Sequence, residues 1–436
     1  MRHGRATLEG GTLAGNQTTA NTVRMFMPES TSSELRGVLA VTVMGIMLTS
    51  CGGGSGEQYG FVTVLGNDTV SVERVTRSPG KLVADGVDRW PAVRQRHTEI
   101  DLAPDGGITH MAMDIHTPNA PTPRLRERRV IADVTKDSVR ISIRDSAGVK
   151  DTAFATGGAI TVPHVSMMYS VIELEIAAAL ARARASQLAT GDSVAFRQWY
   201  PDRDIGESFV LHSGWVQPRA NGRVQLWHDW LSGVGFATVD SNRRMLDYSG
   251  AQSTYKVEVK RVTAMPDVAA MTAKMAADEK GTGGIKQLSV RDTTRASIGS
   301  ATITVDYGRP RLRGRVLLGD VIPYDEVWRT GANAATQFTT SAPITLAGLS
   351  LVAGTYTLWT APHKNGVVDL IVSKQFGQWG TDYDPAHDLG NAPLHTETVN
   401  APIEKFTISI VSADAKHGSL VLEWGTFRWT AAITVR

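Results

Sequence analysis

The chain has one cysteine in 436 residues, so no disulfide can close within it and no cysteine-based metal knot can form. An excess of one charge sign is also missing. Lys plus Arg total 45 against 43 for Asp plus Glu, and a net charge of +2 supplies no broad field for phosphate backbones, so nucleic acid is not an expected partner. The apolar stretch 37–48 is too short for a bilayer of about 30 Å, which takes roughly 20 residues. The HExxH spacing of zinc proteases, the GxSxG elbow and the GxxxxGK[ST] phosphate loop do not occur, and no cofactor is implied. A triad assembled from distant parts of the chain stays open. What is present is apolar material, 42% of residues, enough to bury real cores; at about 150 residues per domain the length fits two or three units.

The lone cysteine has a telling setting. Arg36 precedes the apolar stretch GVLAVTVMGIML, Leu48-Thr49-Ser50-Cys51 closes it, and a Gly-rich GGGSGEQ run follows. The stretch suits the apolar part of a signal peptide. A small residue ending a buried helix is the ordinary alternative, but a flexible run directly after the cysteine is what a tether needs. LTSC resembles the lipobox of bacterial lipoproteins. That resemblance implies cleavage before Cys51, diacylglycerol on its thiol and often a further acyl chain on its amine, and two or more chains make anchoring stable. Residues 1–50 are then a signal peptide, with Met25 or Met27 as an alternative start, and 51–57 a lipidated tether. The expected location is the cell envelope, at a membrane facing the periplasm or the exterior.

Residues 58–264 read mainly as strands. VRISIR at 139–144 alternates, Val139, Ile141 and Ile143 on one face, and STYKVEVKRV at 253–262 repeats the pattern through Tyr255, Val257 and Val259. In one segment, 166–190, Ile172, Ile176, Ala179, Leu180 and Ala183 recur at helical spacing, with Glu173, Glu175, Arg182 and Arg184 on other faces and Gly191 as the stop. The expected fold class is mainly β: an N-terminal antiparallel curved sheet with one helix, then a C-terminal antiparallel β-sandwich. A curved sheet over an apolar cavity is loosely similar to periplasmic lipoprotein carriers. The Ala- and Met-rich segment 265–286, Gly-rich at its end, reads as a linker made of a short helix and a hinge.

Residues 287–436 alternate repeatedly: Ala301, Ile303, Val305 and Tyr307; Tyr356 and Leu358; Phe406, Ile408 and Ile410; Leu420, Leu422 and Trp424; Ile433 and Val435. Turn signals at 308–310, 353–355, 363–366 and 416–418 separate the runs and predict a β-sandwich of eight to ten strands.

YGRPRLRGRVLLGDVIPYDEVWRTGANAAT at 307–336, AGTYTLWTAP at 353–362, QWGTDYDPAHDLG at 378–390 and a closing EKFTISI resemble the domain of unknown function 2911 family, whose members are typically exported from bacteria. The resemblance covers about a third of the chain and implies little about activity. Where it leads one to expect an arginine shortly after Asp388, this chain has Asn391.

The residues carry their own reading. Arg309, Arg311, Arg313 and Arg315 occupy alternate positions, and Gly314 splits the set. Arg315 with Arg329 suits capture of an anion; pairing with Asp306, Asp320, Asp325 and Glu326 is the structural alternative. Trp328 suits a core anchor, and Gly331 and Asn333 a tight turn of positive φ with the Asn333 amide on its own backbone. Arg329, Asn333 and Thr336 form a polar set on one loop of the kind that presents binding sites. Asp382, Asp384, His387 and Asp388 mix types that metals use, but a turn begun by Asp384 and Pro385 explains them, and no metal is expected. Three functions fit: an envelope lipoprotein binding a small anionic ligand or an envelope protein; a hydrolase using His387, Asp388 and the arginines on an anionic or glycan substrate; or an amphiphile carrier. The absence of a catalytic motif favours binding.

Overall fold

Apolar residues at every second position make strands of most of the chain, and the computed structural model shows how two sets of them bury those faces. It describes residues 56–89, 92–202, 210–229, 233–281 and 289–436. The expected signal peptide, Cys51, the first part of its tether and the hinge at 282–286 lie outside the described residues.

The N-terminal sheet has 15 strands. Eight, from Glu57–Leu65 to Gly148–Ala155, form an antiparallel meander, and seven more, from Thr161–Pro163 to Glu258–Val262, return so that the last pairs with the first. Thr161–Pro163 and Val194–Trp199 pair in parallel, which requires a crossover, and helix α1 (Tyr169–Ala185) supplies it. The sheet curves around this helix: Val171, Leu174, Ile176 and Ala179 share one core with Val75, Ile100, Met113 and Val130 from one arm of the sheet and Phe196, Val216, Leu226 and Val259 from the other. Val139, Ile141 and Ile143 are buried together as the alternation predicted. The strand expected at 253–262 is shorter, Glu258–Val262, with Val257 and Val259 buried and Tyr255 only half-buried.

Two details of α1 differ from the sequence reading. It ends at Ala185, and the left-handed residue after it is Gln187, φ 51°, so Gly191 is not its stop. Glu173 and Glu175 do not face solvent; they are 0% and 3% exposed. Glu173 accepts from the Tyr59 hydroxyl at 2.8 Å, the Met245 amide at 2.9 Å, Arg261 at 2.7 Å and Arg77 at 3.3 Å. The helix begins without a side-chain cap of its own. Glu73, from the strand Asp68–Ser78, takes that part, accepting the amides of Tyr169 and Ser170 and, at 2.6 Å, the Ser170 hydroxyl.

The segment expected as a linker holds a second helix, α2 (Val268–Gly281), which packs Met275 onto Val72, Val87 and Val93 on the outer face of the sheet.

The C-terminal part is an antiparallel sandwich of ten strands. Six form one sheet in the order Val290–Ile298, Ala301–Arg309, Thr336–Thr340, Gly354–Pro362, Val368–Ser373 and Asp388–Pro393. Four form the other: Leu349–Leu351, Ile344–Leu346, His417–Val435 and His395–Ser412. Between them lie Ile303, Val305, Phe338, Leu358, Phe406, Leu422 and Trp424, an apolar interior throughout. Tyr307 ties the sheets together, its hydroxyl receiving the Ile408 amide at 2.9 Å and donating to the Ile408 carbonyl at 3.3 Å.

The two sheet systems meet through polar contacts. The Asn67 amide donates to the Arg313 carbonyl at 2.9 Å, Arg313 pairs with Asp68 at 3.2 Å, and Lys256 donates to the Asp320 carbonyl at 3.0 Å.

Candidate functional site

Along Gly354–Pro362 alternation sends Tyr356 and Leu358 inward, so Thr357, Trp359 and Ala361 lie on the outer face of the six-stranded sheet. Register extends this face sideways. Thr357 pairs with Gln337 on one side and Ser373 on the other, and Ser373 pairs with Asp388. Gln337, Thr357, Ser373 and Asp388 thus form a polar row across four strands. Beside it, Trp359 packs with Ala335 and Ile371.

Polar residues on an outer sheet face normally meet water. Here the loop 374–387 covers them. Its backbone joins the loop that follows Trp328: the Gly380 amide donates to Asn333 at 3.0 Å, the Ala335 amide to Gln378 at 3.3 Å, and Ala334 bridges Trp379. The segments VWRTGANAAT and QWGTDYDPAHD, far apart in sequence, therefore build one structure. Tyr383 sets its ring 5.1 Å from Trp359 and donates its hydroxyl to Asp388 at 2.6 Å. Burial, with the Asp388 bond adding to it, raises the Tyr383 phenol above its ordinary pKa and keeps it a proton donor.

Arg329 sits at the edge of this face. Trp328 exchanges backbone hydrogen bonds with Thr360 at 2.7 and 2.9 Å and turns its indole inward, 5.7 Å from Trp424 and 5.2 Å from Phe406. Arg329, one residue on, is directed to the outer side, where its Cδ lies only 2.3 Å from the place a Cβ on Gly380 would occupy. Only glycine leaves room for it. The Arg329 guanidinium has no hydrogen bond or ion pair among the described residues, and burial alone lowers its pKa. Thr330 follows with φ 50°, a left-handed conformation that a β-branched residue rarely adopts. It is held by the Thr336 hydroxyl, which donates to the Thr330 carbonyl at 2.7 Å, and by its own hydroxyl, 3.3 Å from that of Thr360. The positive φ expected at Gly331 falls on Thr330; Asn333 does adopt it, at 63°.

Four polar atoms under or beside the loop are buried without a hydrogen-bond partner among the described residues: Trp359 Nε1, Gln375 Oε1, Gln378 Nε2 and Asp388 Oδ1. Leaving one such group unsatisfied costs about 1–3 kcal/mol, so a cluster of four calls for an explanation.

Of the residues singled out from sequence, Arg329, Asn333 and Asp388 are brought to this face. Asn333 contributes its backbone carbonyl, and its amide reaches Ser289 at 3.5 Å rather than its own backbone. Thr336 is buried and holds the loop. Arg309 is fully used elsewhere, bound to the Phe406 carbonyl at 3.0 Å, Asp292 at 2.7 Å and the Thr407 hydroxyl at 2.8 Å. Arg315 holds its own turn through the carbonyls of Leu312 at 3.0 Å and Arg311 at 2.8 Å. Among the described residues neither arginine forms an ion pair with Asp306, Asp320, Asp325 or Glu326: Asp306 holds Arg291 at 2.8 Å, and Asp325 faces His363 at 3.1 Å. Asp384 caps the short turn Pro385–His387 through the Ala386 amide at 2.9 Å, as its sequence suggested. No group of side chains able to hold a metal ion occurs among the described residues.

Sequence reasoning missed Trp359, Gln378, Tyr383 and Lys256. The signal for Trp359 was available, since the alternation that buries Leu358 exposes its neighbours to the other face. Lys256 comes from the N-terminal part; its ammonium is held below its usual pKa by burial, and the charges of Arg315 and Arg329 act in the same direction.

The molecule is thus a curved sheet around a helix followed by a β-sandwich with a loop-covered polar face. Residues 289–433 match the family described as a protein of unknown function, DUF2911, in agreement with the motifs quoted above. No curated protein matches the chain. Among solved structures, the chain is similar to a DUF1089 family protein from Pseudomonas aeruginosa, with 12% identity over 42% of this chain and 91% of that one and a TM-score of 0.31. It is also similar to a β-barrel-like protein of the DUF1849 family from Brucella abortus, with 10% identity over 48% and 95% and a TM-score of 0.29.

Proposed function

We propose that this β protein is an envelope lipoprotein, anchored through Cys51, whose C-terminal sandwich binds a small anionic ligand at Arg329 without converting it. The observation that carries the ligand reading is Arg329 itself, a half-buried arginine whose guanidinium has no partner among the described residues, set against Gly380 and next to the strained Thr330. An arginine fork without a carboxylate is free to donate to one. Lys256 adds a second positive charge nearby, bonded to the carbonyls of Ala251 at 2.6 Å and Asp320 at 3.0 Å. The carrier reading has less support, because α1 fills the inside of the curved sheet with side chains.

Thermal unfolding of the full chain against a panel of small carboxylates and phosphates tests the ligand reading. A binder at a hundred times its Kd stabilises by about 2.7 kcal/mol, and Arg329→Ala should stay folded and lose that gain. Unfolding of the variant would show Arg329 to be architectural. For the anchor, cells fed radioactive palmitate should label the protein, and Cys51→Ser should abolish the label; an unlabelled parent protein would end that part of the proposal.

A further inference from the structure

We propose that the outer-face site takes an acidic oligosaccharide, bound along its length from Arg329 at one end to Asp388 at the other. This rests on the reading of Arg329 as an anion contact and adds what lies beyond it.

Three strand steps separate Arg329 from Asp388, by way of Gly354–Pro362 and Val368–Ser373, which at about 4.8 Å each is about 14 Å of backbone. The two charges are too far apart to pair with each other. A ligand using both is longer than one sugar ring. Between them lie two aromatic rings, Trp359 and Tyr383, 5.1 Å apart, whose faces suit the C–H side of a sugar. The unpartnered atoms are of both kinds: Trp359 Nε1 and Gln378 Nε2 donate, whereas Gln375 Oε1 and Asp388 Oδ1 accept. Sugar hydroxyls both give and take hydrogen bonds and so answer such a mixed set at any rotation. A peptide offers one donor and one acceptor per unit in fixed directions. Asp388, its second oxygen already fixed by Tyr383 at 2.6 Å, calls for a donor and repels a second carboxylate, which places the acidic unit of the ligand at Arg329. The ligand reaches Trp359 and Asp388 when the loop 374–387 lifts, and the loop then closes over it with Gln375, Gln378 and Tyr383; Gly377, with φ 84°, and Gly380 lie within it, and Phe376 and Trp379 on the same loop are 62% and 52% exposed.

The test is calorimetric titration of the full chain, in detergent, with four probes: cellobiouronic acid, cellobiose, citrate and a tri-glutamate peptide. The proposal expects cellobiouronic acid to bind at least tenfold more tightly than cellobiose. It also expects Asp388→Asn, and Trp359→Phe, which keeps a ring but removes the indole donor, each to weaken it about tenfold while any citrate binding is unchanged. Citrate or the peptide binding in an Arg329-dependent way, with no cellobiouronic acid binding, overturns the saccharide inference and leaves the anion reading standing. No binding of any probe overturns both.

Discussion

The two halves of the molecule treat buried charge in opposite ways. Inside the N-terminal sheet charges are plentiful and paired with one another: Glu173 has four donors, and Arg96, 3% exposed, holds Asp88, Asp202 at 2.8 Å and the Ser166 carbonyl at 3.2 Å. Inside the C-terminal sandwich there is almost no charge, and among the described residues four of its five buried side-chain atoms without a partner, all but Trp429 Nε1, sit outside, under or beside a loop. A buried ion held by several partners of opposite charge specifies architecture. A half-buried cation with no ion pair among the described residues, beside strained backbone, is the more telling sign of a site, because its fork is left open to a ligand.

The largest test of this contrast is Arg96→Ala. Removing one member of a fully buried network leaves Asp88 and Asp202 without it, and denaturant unfolding should show a loss of about 3–5 kcal/mol. A loss under 1 kcal/mol would erase the distinction. Next is Glu73, whose burial raises its pKa from 4.5 to about 7 against the opposing hydrogen bonds of Ser170 and Tyr169. Between those values the folded state binds more protons than the unfolded chain, so this group's contribution to stability is fully present below pH 4.5 and falls as pH rises to about 7, by about 3 kcal/mol in all. Glu73→Gln should flatten that slope; identical slopes in the two proteins would show that Glu73 is ionised throughout. The smallest effect belongs to Arg329→Leu. With no bond to lose, it should leave stability within about 1 kcal/mol of the parent or raise it, measured by the same unfolding, while ligand binding is lost. A loss as large as that of Arg96→Ala would move Arg329 to the architectural side.

Much of the fold was legible before any coordinates. Two-residue alternation identified the buried face of 139–144 and of the strands through Ile303, Phe406 and Leu422, because a strand with one face in a core must repeat at that period. Helical spacing found α1 and the exposure of Arg182 and Arg184 but misjudged Glu173 and Glu175, since an amphipathic reading assumes that charge faces water, and here the first half of the helix, 169–176, is buried on all sides. Arg329 could be picked from its loop, and Asp388 from its motif.

By itself, then, the sequence determined the element types, the mainly β class, the two sheet systems and the family of its C-terminal part, because these follow from local periodicity and turn chemistry. Which arginines are consumed and which is left over was decided only by the tertiary structure. Arg309, Arg315 and Arg329 are alike in sequence, and their difference arises because distant strands bring a carbonyl, a carboxylate and a hydroxyl to the first, the second folds back on the carbonyls of its own turn, and no such group among the described residues meets the third.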